Sequence, residues 1–399
     1  MMPQYSLHRL ALRERIFILS ADQRGATTSM KILLTTHMLG CGGTDRVCVH
    51  VANGFAAAGF DTEIVIFCSG GSAEKSLLPL VLDTVRVTTL GTRTGSRGRD
   101  LLRNLPAFIG HLRQNRPDCI LSTGNNMNKI TTAGLRLSGL RNSRLVLKTT
   151  NPIIRPKDGL FSRHYRRWYY RRMFRIADLV LTLSEPETCH LRTAFPVAAG
   201  RFQTVANPYV TAAMLAQPLR NDASAPLILG VGRLAPQKRL DLLIRGFAAM
   251  RNTGARLVLL GEGPDRGKLE ALISELGMDG RISLPGFVDD VSSWFARADI
   301  FALTSRYEGL PAVVLEAMAT NCRVVATDCF PAARTLVGDA DGCAILAEPC
   351  PLQLAGLLDR MLLQPRPATL RERANGYCID QAQRSHVDAV SAILALQPA

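Results

Sequence analysis

Two carboxylates and a set of cations and glycines are the residues of this chain that could do chemistry. Glu308 and Glu316 bracket seven residues within "SRYEGLPAVVLEAMA", Ser305 to Ala319. The run "ADIFALTS" before them fits a buried parallel strand. Pro311 suits the first turn of a helix, where its missing N–H costs nothing. Glu308 is thus expected in a loop at the carboxyl end of a strand, where open α/β sheets bind ligands. Gly309 lets a backbone come close to a bound group. The helix start beside it offers free N–H groups and a positive dipole end, which suit a phosphate. Glu316 sits further along the helix, within reach of the same crevice. Two solvated glutamates on one helix would have the same spacing.

Three other loops carry phosphate-compatible groups. "GVGRLAPQKRLDLLIRGF" places Arg233 and Lys238 after a strand, and two fixed cations can neutralise a diphosphate. "LLGEGPDRGKLE" gives a glycine-rich turn at Gly261 and Gly263. "LGCGGTDRVCVHVANGF" puts Gly42 and Gly43 between the first strand and first helix. None has the spacing of a dinucleotide fingerprint, so NAD is not implied. Each loop alone is weak evidence; their combination is not.

These loops need strands and helices to position them. Apolar strand-like segments alternate with amphipathic helical ones through both halves of the 399 residues. The helical segments include "DRVCVHVANGFAAAG" and "LLRNLPAFIGHLRQNRP". The pattern predicts an α/β chain with two Rossmann-like domains facing a cleft. A Pro/Ala/Asn-rich stretch, "VANPYVTAAMLAQPLRNDASAP", reads as the linker. The expected division is an extension over 1–29, one domain over 30–208, a second over 209–380, and a helical segment over 381–399.

Bulk properties narrow the class. Hydrophobic residues make up 47 % and charged residues 20 %, a globular composition. No apolar run approaches the roughly 18 residues of a membrane span. The ten cysteines form no C-x-x-C pair and read as buried free thiols of a reducing compartment. The net charge is +15, and the segment from Arg141 to Arg175 holds eleven Lys/Arg against Asp158. Within it, "SRHYRRWYYRRMFR" spaces Tyr165, Trp168, Tyr169 and Arg172 along one side of a helix. One reading is a helix resting on an anionic membrane through Arg166, Arg167, Arg171 and Arg172. The other is an aromatic stripe packed in the core with a solvated cationic back. Nucleic acid is not the expected partner, because no nucleic-acid module is recognisable.

Taken in order, the loops resemble the retaining glycosyltransferases of family 4, which have the GT-B fold. The resemblance is strongest from Leu227 to about Leu346 and thinner in the first half. It implies that Arg233 and Lys238 bind the leaving diphosphate and that Glu308 lies beside the donor sugar. Glu316 would bind the ribose hydroxyls. Gly309, Leu310 and Pro311 would bring backbone to the sugar and phosphates, with Gly261 and Gly263 in the same donor site. Gly42 and Gly43 would meet the phosphate from the acceptor domain, Gly43 through its N–H. The implied partners are a UDP-hexose and a polyprenyl-diphosphate-linked glycan at the inner face of the cytoplasmic membrane, with no cofactor and no metal. A nucleotide-sugar epimerase of similar fold, or a non-catalytic nucleotide-binding protein, are the alternatives.

The chain departs from the family where Pro331, Ala332 and Ala333 replace a glycine-rich turn. Thr335 stands where an acid is usual, and Asn321 where glycine is frequent. His37, before the glycine loop, reads as structural. Asp339-x-Asp341 resembles a metal motif of another fold but reads as a solvated turn.

Overall fold

The computed structural model describes residues 29–40, 42–69, 77–153, 159–218, 225–365, 367 and 369–396. Its strands are short, rich in Val, Ile and Leu, and most are buried along their length, so each needs cover on both faces. The cover comes from the helices between them, and all pairings are parallel.

The first sheet has seven strands in the order β3-β2-β1-β4-β5-β6-β7. These are β1 (Lys31–Thr36), β2 (Asp61–Ile66), β3 (Val85–Thr89), β4 (Cys119–Ser122), β5 (Arg144–Lys148), β6 (Leu179–Thr182) and β7 (Phe202–Thr204). The second has six, in the order β10-β9-β8-β11-β12-β13. They are β8 (Leu227–Val231), β9 (Arg256–Leu260), β10 (Ile282–Gly286), β11 (Ile300–Leu303), β12 (Arg323–Thr327) and β13 (Ala344–Leu346). Strand order reverses beside β1 and β4 in one sheet and beside β8 and β11 in the other. Those are the points where doubly wound sheets open a crevice.

The two halves share one apolar cluster, which runs from Ile32 and Val47 through Tyr209, Val210 and Leu310 to Phe301 and Met318. The chain crosses between them twice. Val210 bridges Cys378, and helix Ile379–Ala395 then returns to pack on helix Gly43–Ala57 beside the first sheet. Gln383 donates to the His50 carbonyl at 2.7 Å, and a Cβ on Gly54 would meet the Gln383 side chain at 2.8 Å. Beneath this helix, Lys148 Nζ and His386 Nε2 lie 2.9 Å apart, both buried.

Two details differ from the sequence pattern. The helix expected over 101–117 is two, Arg97–Arg103 and Leu105–Asn115, broken at Asn104 ahead of Pro106. Asn104 serves both as the first helix's end and as a strut, donating to the Phe67 carbonyl at 2.8 Å. Strands β3 and β7, short and partly exposed, carry too little apolar periodicity to stand out in sequence. The expected extension over 1–29 lies outside the described residues except for Ser29, whose hydroxyl donates to the Gly59 carbonyl at 2.8 Å.

Candidate active site

The loops after β8 and β11 are zippered together, and this brings Lys238 and Glu308 into contact. The Thr304 hydroxyl lies 3.0 Å from the carbonyls of both Lys238 and Arg239. Gln237 donates to the Tyr307 carbonyl at 2.8 Å, and the Arg306 N–H donates to the Gln237 carbonyl at 2.8 Å. Held this way, Lys238 Nζ sits 2.8 Å from Glu308 Oε1, which also accepts from Ser305 Oγ at 2.7 Å. The Glu308 N–H is fixed by the Cys329 carbonyl at 2.7 Å. Arg233 is exposed at the end of β8 and has no ion-pair partner among the described residues.

The glycines divide by role. A Cβ on Gly261 would lie 2.1 Å from the Gly232 carbonyl oxygen, and one on Gly263 would lie 2.2 Å from that of Leu234. Both positions are filled by the backbone of the neighbouring β8 loop. Gly261 and Gly263 therefore let two strand ends pack together, a local reason for glycine that is separate from their expected part in holding donor. Gly309 makes an equally close link, this one between the domains. Its Cβ would meet the Thr150 carbonyl of the first domain at 2.1 Å and the Leu183 side chain at 2.8 Å. The Tyr209 hydroxyl, which accepts from Asn207, donates to the Leu310 carbonyl at 3.3 Å. Pro311 precedes helix Ala312–Ala319 as its N-cap rather than its first residue.

Glu316 is buried in that helix and faces the first domain. Arg46, in the first turn of helix Gly43–Ala57, donates from an Nη to Glu316 Oε1 at 2.9 Å. Burial pushes the Glu316 carboxyl up, while the Arg46 guanidinium pulls it down. Gly42 is the N-cap, and open space surrounds Gly43 where a Cβ would stand. Asp45 folds back to the Gly40 N–H at 3.2 Å, and its carboxyl is raised to about 6, chiefly by burial. Neither Arg46 nor Thr304 carries a sequence signature. Both become visible only when residues distant in sequence are in place.

The remaining candidates lie apart. His37 joins Cys68 and Asp100: its Nε2 is 3.4 Å from the thiol and 3.5 Å from the carboxylate. Its pKa is lowered, first by burial and then by Arg97, with Arg93 adding to it. The positive field of these arginines opposes a cation there. Asp339 and Asp341 are exposed in a turn ahead of β13. Thr335 bonds the Ala332 carbonyl, and Asp328 pairs with Arg334 at 2.9 Å.

Helix Leu160–Ile176 buries Tyr170, Met173 and Phe174. The stripe with two readings divides: Tyr169 is half-buried against the core, while Tyr165 and Trp168 face outward. Tyr165 and Trp168 are each 55 % exposed, and Phe161 is 86 % exposed. Arg167, Arg171 and Arg172 are exposed on the same helix, with Arg172 over the Trp168 ring at 5.1 Å. Arg166 is half-buried and donates to the Ile153 carbonyl at 3.3 Å. No helix among the described residues is long and apolar enough to cross a membrane.

Known families match both halves of this arrangement. Residues 42–208 match the glycosyl transferase 4-like domain, and residues 215–381 match the glycosyl transferases group 1. The chain is a GT-B glycosyltransferase. A Campylobacter jejuni relative, named as an N-acetylgalactosaminyltransferase acting on a diphospho-undecaprenol-linked sugar, is 30 % identical over 51 % of this chain. The chain matches only 56 % of that relative's length. The amylovoran biosynthesis glycosyltransferase AmsD of Erwinia amylovora is 22 % identical over 77 % of this chain and 83 % of its own. The fold of this glycosyltransferase is shared with Anabaena HepE, solved with UDP and glucose, at a TM-score of 0.72. That structure is 18 % identical and covers 91 % of this chain and all of the other.

Proposed function

We propose that this glycosyltransferase moves a hexose from a UDP-sugar to a polyprenyl-diphosphate-linked glycan, with retention of configuration, in bacterial surface-polysaccharide synthesis. The observation that carries this reading is the Lys238–Glu308–Ser305 cluster at the β8/β11 switch point, next to Gly309, which abuts the Thr150 carbonyl of the first domain. Breaking the bond between the sugar and the diphosphate builds negative charge on the diphosphate and positive charge on the sugar. Arg233, Lys238 and the start of helix Ala312–Ala319 are suited to the first charge, and Glu308 to the second. Each fixed donor contributes on the order of 2–4 kcal/mol to such a transition state. UDP is the reading for the donor because the HepE structure holds it, and the lipid diphosphate follows the name of the Campylobacter relative.

The acceptor reading also draws on helix Leu160–Ile176. An outward face of Phe161, Tyr165 and Trp168 flanked by arginines suits an anionic membrane interface, where a lipid-linked acceptor would lie. It supports a peripheral location on the cytoplasmic side of the inner membrane.

The test is a panel of radiolabelled nucleotide sugars incubated with the protein and bacterial membranes. Incorporation of label from a UDP-hexose into the lipid fraction, in the same anomeric form as the donor, is expected. Incorporation with inverted configuration, or release of an epimerised nucleotide sugar without transfer, would overturn the reading.

A further inference from the structure

We infer that Arg46 of the first domain is a positioning residue for nucleotide binding in the second, acting through Glu316. The inference rests on the reading of Glu316 as the ribose-binding carboxylate. It adds a residue that reaches this carboxylate from 270 positions away in sequence.

The geometry is a one-sided grip. Arg46 Nη1 takes Glu316 Oε1 at 2.9 Å, and Oε2 has no hydrogen-bond partner among the described residues. One carboxylate oxygen is thus fixed while the other stays open to a ligand hydroxyl. The Glu316 side chain is 6 % exposed and that of Arg46 37 %, so the pair sits at the edge of the crevice with the cation on the open side.

Other charges near this helix are committed elsewhere. Arg371 turns to the Ala319 and Gln217 carbonyls, Arg373 to those of Thr335 and Asp339, and Arg323 to those of Met361 and Gln364. Arg297 stacks on Trp294, and Glu372 lies in the same short helix as Arg371. Burial raises the pKa of Tyr209, and the charges of Glu316 and Glu308 add to that shift. These surroundings leave Arg46 as the counterion to a buried acid.

A buried carboxyl without a counterion takes up a proton. A protonated carboxyl loses charge-assisted acceptance of two ribose hydroxyls. Removal of Arg46 therefore moves the titration of Glu316 to higher pH. Affinity for nucleotide falls most at the acidic end and recovers as pH rises.

The experiment is calorimetric titration of UDP, GDP, ADP and dTDP into the full chain from about pH 5 to about pH 9. Wild type is compared with Arg46→Gln, Arg46→Lys, Glu316→Gln and the double variant Arg46→Gln/Glu316→Gln. Arg46→Gln is expected to weaken binding about tenfold at the acidic end, with the loss shrinking as pH rises. Arg46→Lys should recover most of it. Glu316→Gln should bind weakly, without that pH dependence, and the double variant should be no weaker than Glu316→Gln alone.

If wild type binds a nucleotide and Glu316→Gln weakens it, but Arg46→Gln is unchanged or its loss is the same at every pH, the role of Arg46 falls and the donor site stands. Additive losses in the double variant overturn it in the same way. If no nucleotide binds wild type, the donor-site reading falls and takes this inference with it. Should Arg46→Gln fold poorly by circular dichroism, the Arg46→Lys pH profile decides: a midpoint identical to wild type with weakened affinity rejects the proposal.

Discussion

Glu308 and Glu316 share a sequence motif but face different partners, so they are expected to fail differently. Glu308 is held by Lys238 and Ser305 at a strand end, while Glu316 is held by an arginine from the other domain. Glu308→Gln should cut turnover while UDP affinity changes little. Glu316→Gln should weaken UDP by roughly 1.5–3 kcal/mol, about ten- to a hundredfold. Calorimetry paired with turnover assays separates the two, and a loss of UDP affinity in Glu308→Gln alone would reverse the roles. Lys238→Ala and Arg233→Ala should each lower turnover on the order of a hundredfold in a folded protein. Near-normal rates at saturating donor in both would remove them from the site.

At the scale of elements, the loops after β8 and β11 work as a unit because Thr304, Gln237 and Arg306 tie one to the other. Helix Leu160–Ile176 makes a separate contribution on the outer surface. Its inner side, Tyr170, Met173 and Phe174, packs against the first sheet's core. Its outer side is free to meet another phase. Replacing Phe161 and Trp168 with serine, and Arg167 and Arg171 with glutamine, should weaken partitioning onto anionic vesicles. The loss expected is about 1 kcal/mol per surface cation, with more from the apolar pair. Co-sedimentation with vesicles of phosphatidylglycerol measures it. Donor hydrolysis in solution should stay unchanged, and vesicle binding that survives all four substitutions would return this helix to a plain solvated surface.

The whole molecule is closed by helix Ile379–Ala395, which carries the end of the chain back to the first domain. Lys148 is buried beneath it and lowered to about 7 by desolvation, with Glu187 opposing that shift. His386 is also held well below its usual value by burial, and so is neutral. Folded Lys148 binds fewer protons than its unfolded form between about pH 7 and its usual 10.5. The unfolded chain therefore takes up protons there, and stability rises with pH across that window, by at most about 1.4 kcal/mol per unit. Thermal unfolding between about pH 7 and about pH 8 should show this rise, below the range where unfolding would let the buried thiols of Cys48, Cys119 and Cys329 ionise and oppose it. Lys148→Met should flatten it, and an unchanged slope in that variant would mean that Lys148 keeps its proton when folded.

The sequence by itself determined the fold class and the approximate places of the chemistry. Alternating apolar strands and helices dictate a two-sheet α/β chain, because parallel strands buried on both faces have no other cover. Strand-end loops with Arg233, Lys238 and Glu308 follow from the same alternation. Local pattern could not tell which glycines meet another backbone. Gly261 and Gly263 are required by the carbonyls of a neighbouring loop, and that proximity exists only when β8 and β9 lie side by side. Nor could it tell the outer from the inner side of helix Leu160–Ile176, since aromatics occupy both and only packing chooses between them. Arg46 against Glu316 and Lys148 against His386 join residues more than two hundred positions apart. Contacts of that kind are made by the folded chain as a whole, because long-range burial and charge pairing are decided by which elements meet and not by the residues beside them in sequence.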